Sequence, residues 1–307
     1  MNLQDLINGR LGVGLGLSLS RSLPPKLAYP IIRMFSGVIA RQKNSPMVQA
    51  IRANQWIISG KSLTGRELNE RTHLVLQNTG RSIYDFYHYM HDSPKVKELV
   101  PLDPSFEQWM ELNLQQKQPM IWVAPHLSNF DLMARALILK GARFQVLSYP
   151  QPNAGYRWQN QIRELPGLEL TPMSIAALRQ ASNNLRANGT ILTGVDRPLP
   201  DPDSKYQPTF FGLPASLPVF HIRLALKHDL PIIVISGKRT ADGKMTILAS
   251  DPIPMQHSTD LYEETVCNAE AVLAAIERFV CLAPEQWAMF YPVWPEASRE
   301  VPNSQET

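Results

Sequence analysis

From Leu23 to Arg41 the apolar side chains of Leu27, Ile31, Met34, Phe35, Val38 and Ile39 recur at helical spacing on one broad arc. Lys26, Arg33 and Arg41 fall on the opposite arc, which makes a basic amphipathic helix. Ser45-Pro46 is a helix start followed by a periodic stretch to Gly60, and a longer helical pattern runs from Gly65 to Met90. A proline-containing linker at about 93–104 is expected to close this all-helical part. Beyond Pro119 the period changes. Met120–Ala124 is a short continuous apolar run of strand length, Leu132–Lys140 is a helix stopped by Gly141, and Phe144–Tyr149 is a second strand. Further strand-like runs are Leu168–Thr171, Thr190–Val195 and Pro231–Ser236, while Lys238–Thr240 and Lys244–Ala249 flank the hairpin signal Asp242-Gly243. Helical patterns occupy the gaps at about 154–164, 174–188, 219–229 and 259–282. Strands alternating with helices predict an α/β fold: a mixed, largely parallel sheet flanked by helices, with an N-terminal all-helical region. The expected division is a helical, basic region at 1–110, an α/β core with a C-terminal helix at 111–295, and a polar tail at 296–307.

Composition narrows the class without changing that picture. With 307 residues, 44% hydrophobic and 19% charged, and a mean hydropathy of −0.18, the chain reads as globular and excludes pervasive disorder, collagen-like repeats and a coiled coil. Its uncharged apolar stretches reach about ten to fifteen residues, short of the roughly twenty that a membrane span requires. Two cysteines, Cys267 and Cys281, cannot build a disulfide framework, so a reduced, intracellular setting is expected. No cleavable signal peptide is expected, since only a Gly-rich uncharged stretch follows Arg10.

Charge does change the picture. Residues 1–66 hold nine basic side chains and one acid, Asp5, whereas the remainder holds 21 basic and 26 acidic residues, so a net +3 divides into +8 and −5. Such a basic region calls for an anionic partner or a solvated face. The helix at 23–41 fits a lipid surface and equally fits packing on its own domain with its charges in water. Nucleic acid is not expected as a partner, because the charges interleave with Leu, Ile and Met rather than with stacking aromatics.

Several motifs fail. Gly60-Lys61-Ser62 has Gln55 where a phosphate-binding loop needs glycine, Gly12-Val13-Gly14 is followed by Leu17 rather than glycine, and there is no G-x-S-x-G elbow. Asp85, His88 and His91 share a helical face at metal-ligand spacing, although polar side chains on a helix rich in Tyr and Phe need no metal, and none is expected. One pair survives: His126 and Asp131 in Pro125-His126-Leu127-Ser128-Asn129-Phe130-Asp131. Seven histidines and 27 acids predict about 0.6 such H-x4-acid matches by chance, so placement carries the argument. The strand at 120–124 delivers His126 to its carboxyl end, where α/β sheets form ligand crevices. A turn there lets Asp131 reach back to one imidazole nitrogen, and the other nitrogen is then able to deprotonate a hydroxyl. A loop histidine with a structural partner fits the spacing as well.

This block resembles the H-x4-D/E motif of the lysophospholipid acyltransferase superfamily. The chain as a whole is similar to the branch that holds lipid A biosynthesis (lauroyl/myristoyl) and phosphatidylinositol mannoside acyltransferases. The likeness continues through Arg163-Glu164-Leu165-Pro166-Gly167-Leu168-Glu169-Leu170, Asp196-Arg197, Phe210-Phe211-Gly212-Leu213-Pro214-Ala215 and Pro284-Glu285-Gln286-Trp287. It implies transfer of an acyl group from acyl-CoA or acyl-carrier protein to a hydroxyl of a membrane glycolipid, without a cofactor and without an acyl-enzyme. His126 would be the general base and Asp131 its orienting carboxylate. Arg163 would bind a phosphate, Asp196 and Arg197 would lie near the acceptor, and Phe211 and Gly212 would shape the cleft. An ion pair at a strand end is the structural alternative for Asp196-Arg197, and simple core packing that for the aromatic pair. The implied location is the cytoplasmic face of the inner membrane, peripheral, held to an anionic surface through residues 10–66. One departure stands out, since Val219-Phe220-His221 follows Pro218 where the family has a small residue. A lysophospholipid acceptor, a lipid-binding relative without catalysis, and a His-dependent thioesterase remain as alternatives.

Overall fold

A computed structural model describes residues 20–115, 117–150, 160–201 and 204–302. Asp5, Arg10, the Gly12–Gly14 motif, most of the helix expected at 154–164 and the end of the expected tail lie outside the described residues.

Five helices precede the first strand: α1 (Pro25–Ala40), α2 (Pro46–Ile58), α3 (Gly65–Tyr89), α4 (Ser93–Leu99) and α5 (Pro104–Gln115). The last two replace the expected linker. Pro94 sits in the first turn of α4, where a missing N–H costs nothing, and the Asp92 carboxylate caps Lys95 N at 3.0 Å. Proline here starts a helix instead of interrupting one. α3 begins on a reciprocal cap, the Thr64 side chain accepting from Glu67 N and the Glu67 carboxylate accepting from Thr64 N.

The core follows as β1 (Met120–Ala124), α6 (Phe130–Leu139), β2 (Phe144–Ser148), β3 (Leu168–Pro172), α7 (Ile175–Arg186) and β4 (Thr190–Gly194). It continues with β5 (Thr209–Phe210), β6 (Leu213–Pro214), α8 (Phe220–His228), β7 (Ile232–Arg239), β8 (Met245–Ala249) and α9 (Leu261–Leu282). Strand order is β3-β2-β4-β1-β7-β8, parallel except for the β7–β8 hairpin, as the alternating pattern predicts. β1 lies between β4 and β7 and is covered on both faces, which is why it reads as an unbroken apolar run.

The helical region is built into this core. Trp56, Ile57 and Leu68 pack with Ile121, Val123 and Ile191 on one face of the sheet. The start of the expected polar tail is likewise tied down: Pro295–Arg299 is a 3-10 helix with Ala297 buried, and Arg52 donates to the Pro302 carbonyl at 2.7 Å.

α1 lies along α3 through a narrow stripe of small residues. Ala28 and Ser36 are buried there, and a Cβ at Gly80 on α3 would sit 2.7 Å from the Ile32 side chain, so glycine sets the closeness of the two helices. Leu27, Ile31, Met34, Phe35 and Val38 are 40–58% exposed, and Lys26, Arg33 and Arg41 are exposed as well. Most of the broad apolar arc of this helix therefore faces away from the protein, while Ile39 at its edge packs against the cluster of Met47, Ile51, Val75 and Leu76.

Candidate active site

Strand pairing assembles the site. β1 and β4 run parallel with Ala124 opposite Gly194, so residues at equal distances beyond the two ends face each other across the sheet's carboxyl edge. These residues are His126 and Asp196. The His126 Nδ1 lies 2.6 Å from Asp196 Oδ1, and the His126 backbone N–H donates to Oδ2 at 2.8 Å. The Trp287 indole N–H donates to the same Oδ2 at 2.7 Å.

Asp196 is fully buried. Burial by itself pushes its carboxyl pKa up, but the charge of His126 and the three hydrogen bonds outweigh it, and the net direction is down. Asp196 is therefore ionised, and an ionised carboxylate only accepts. That assigns the Nδ1 proton to His126, so that in the neutral form of the ring Nε2 is the nitrogen that carries the lone pair.

The loop that carries His126 is clamped from the far end of the chain. Ala288 N donates to His126 O at 2.8 Å, Ser128 N donates to Gln286 O at 2.9 Å, and Leu127 forms an antiparallel bridge with Trp287. Ser128 has φ +57°, a conformation that costs a non-glycine residue of order 1 kcal/mol and that these contacts hold in place. Asn129 then caps α6, its Oδ1 accepting from Leu132 N at 3.1 Å.

Asp131 does not orient His126; the structure puts Asp196 there instead. The positive-φ turn and the start of α6 turn Asp131 toward the helical segment at 160–163. Arg163 holds it in a two-point pair, Nε to Oδ1 at 2.7 Å and Nη2 to Oδ2 at 2.9 Å. The Arg163 charge is thus already compensated. Phe211 and Gly212 also lie away from the cleft, at the tip of the β5–β6 hairpin, where the Phe211 ring packs near Trp287 and Trp294. The Phe211 ring thus backs Trp287, the residue whose indole N–H donates to Asp196.

His126, Asp131, Arg163 and Arg197 line one cleft of about 440 Å³. It extends from the strand ends beneath α6 along one face of the sheet, over the cross-strand row Leu170, Val146, Leu192, and reaches Leu165 and Leu168. Val219 and Phe220, the bulky departure, line it too. His221 does not: it is buried, and burial pushes its pKa down to about 3, so the ring is neutral. The metal-like trio is accounted for by protein partners, since Asp85 pairs with Arg239 at 2.5 Å and accepts from Tyr29 at 2.8 Å. Among the described residues no group of acids, cysteines and histidines is arranged to hold a metal.

Gly194 sets how deeply the imidazole sits. A Cβ there would fall 2.9 Å from His126 Cε1, closer than real contacts permit. Because Asp196 holds the ring at Nδ1, Gly194→Ala should displace His126 by a few tenths of an ångström. We expect about a tenfold fall in turnover with the thermal midpoint nearly unchanged, a steady-state comparison being the check.

Among curated proteins none matches the chain. A family does match, over residues 102–296, and the matched region contains the sheet, the clamp and every cleft residue named above. A parallel-sheet cleft with a carboxylate-held histidine, and a match over more than half the chain, place the protein among the bacterial lipid A biosynthesis acyltransferases.

Proposed function

We propose that the protein moves a fatty acyl chain from an acyl thioester, acyl-CoA or acyl-carrier protein, to a hydroxyl of a lipid A-like glycolipid, with His126 as general base. The observation that carries this reading is the buried, ionised Asp196 on Nδ1 of a histidine whose other nitrogen is left for a substrate in an apolar cleft. Nε2 removes the acceptor hydroxyl proton as the oxygen attacks the thioester carbonyl. The tetrahedral intermediate collapses, the carbon–sulfur bond breaks, and the imidazolium returns that proton to the departing thiolate. Atoms and charge balance with no covalent enzyme intermediate. The apolar row beneath α6 suits the acyl chain, and water kept out of it leaves the lipid hydroxyl as the nucleophile.

The exposed apolar arc of α1, with its lysine and arginines alongside, favours docking on an anionic membrane surface. No helix among the described residues is long and apolar enough to cross a membrane. α3 links dock and cleft, because α1 rests on it and its Phe86 lines the cleft.

The test is thiol release from acyl-CoA and from acyl-carrier protein, with and without a lipid A precursor. Acceptor-dependent release that disappears in His126→Ala is the expected result. Equal release without an acceptor would make the protein a thioesterase, and no release from either donor would remove the catalytic reading.

A further inference from the structure

Among the described residues, the ionisable side chains at the cleft, tyrosine aside, are His126, Asp131, Arg135, Arg163 and Arg197. Among the described residues that line it Asp131 is the single acid, and Arg163 takes it. Arg135 and Arg197 therefore leave two positive charges that no carboxylate among the described residues pairs with. Both are half-buried beside an apolar cleft, so their placement calls for a reason.

The Arg197 guanidinium carbon lies 3.9 Å from the ring centre of Tyr149 and 4.3 Å from that of Tyr291. Aromatic rings that close attract the cation without taking up its N–H donors as a carboxylate would. Arg135 stands on α6 one turn beyond Asp131, and its Nε is buried without a hydrogen-bond partner among the described residues. A phosphate monoester carries a charge of about −1.5 to −2 at neutral pH and matches two guanidinium groups that no described carboxylate compensates.

We propose that Arg135 and Arg197 form a phosphate-monoester subsite in this cleft, with Tyr149 and Tyr291 as positioning residues that hold the Arg197 cation. The role expected of Arg163 thus passes to its two neighbours. The phosphate enters on the lipid acceptor or on the thioester donor, and the acyl-transfer reading bears only on which of them brings it.

Equilibrium titration of the full-length protein separates these sources without turnover. The probes are coenzyme A, which carries a donor-type monoester, and dihexanoyl phosphatidate below its micellar concentration, which carries a lipid monoester. Wild type should bind at least one of them. Arg135→Ala and Arg197→Ala should each weaken that binding about tenfold to a hundredfold, the range of a charge-assisted hydrogen bond. Tyr149→Phe should bind as wild type does and Tyr149→Ala severalfold more weakly, because the ring face and not the hydroxyl does the positioning. Arg135→Gln serves where the alanine variant fails to fold.

The subsite is overturned if wild type binds neither probe, or if both arginine variants bind as wild type does. Probe binding through both arginines without acceptor-dependent thiol release would instead sink the transfer reading and leave the subsite standing.

Discussion

Asp196→Asn is expected to reduce acceptor-dependent thiol release by about 10³–10⁴-fold with the fold intact, on the scale that loss of a histidine-orienting carboxylate costs elsewhere. The reason lies in the two donors that share Oδ2, the Trp287 indole N–H and the His126 backbone N–H. An asparagine has one acceptor oxygen, and those fixed donors claim it. Its NH2 group then faces Nδ1, which must accept, so the imidazole proton moves to Nε2 and the general base loses its lone pair. Asp131→Asn should behave differently. It loosens the Arg163 pair at the cleft wall and should raise KM about tenfold with a smaller effect on kcat, since no contact to His126 is lost. Measured kcat for the two variants decides: Asp196→Asn near wild type beside an inactive Asp131→Asn would return the orienting role to Asp131.

The second large effect concerns α1. Met34 and Phe35 are 58% and 56% exposed, so replacing both by aspartate should leave the thermal midpoint within a degree or two. Partition onto anionic vesicles should fall by at least about a hundredfold. Burying side chains of this size is worth roughly 1.5–3 kcal/mol each, and two new negative charges add repulsion. Transfer to an acceptor in vesicles should fall in parallel, while transfer to a detergent-dispersed acceptor should hold. Co-sedimentation with vesicles is the measurement, and undiminished partition would show that this face docks elsewhere. The effect of salt is a second readout, since screening removes the charge contribution and leaves the apolar one.

How much of this was legible in advance varied with the range of the interaction involved. Local pattern was reliable. β1, β2, β3, β4 and the β7–β8 hairpin fall within a residue or two of the runs that periodicity marks, because strand-length apolar runs ended by turn residues have few other ways to fold. Proline misled at 93–104, where its meaning depends on whether a cap precedes it; Asp92 does. His126 could be singled out from its position after β1. Its partner could not, since separation along the chain favours Asp131, whereas β-sheet neighbourhood favours Asp196. The hint available was that Asp196 also follows a strand at the same distance; what was missing was that the two strands are adjacent.

The same division holds for the charges and for α1. By itself the sequence determined the α/β class, the basic amphipathic helix, the candidate histidine and the family likeness, all of which rest on residue type at short spacing. Only the tertiary structure decided that Asp196 holds His126, that Arg163 is neutralised by Asp131 while no described carboxylate pairs with Arg135 or Arg197, and that Phe211 and Gly212 stand behind the site. It also decided that most of the apolar arc of α1 points outward, because α3 takes only the small stripe of Ala28 and Ser36. The physical reason is common to all of these. Periodicity states which faces a segment has, but the parallel pairing of β1 with β4 and the packing of one helix on another decide what each face meets, and those contacts join residues 70 or 91 positions apart.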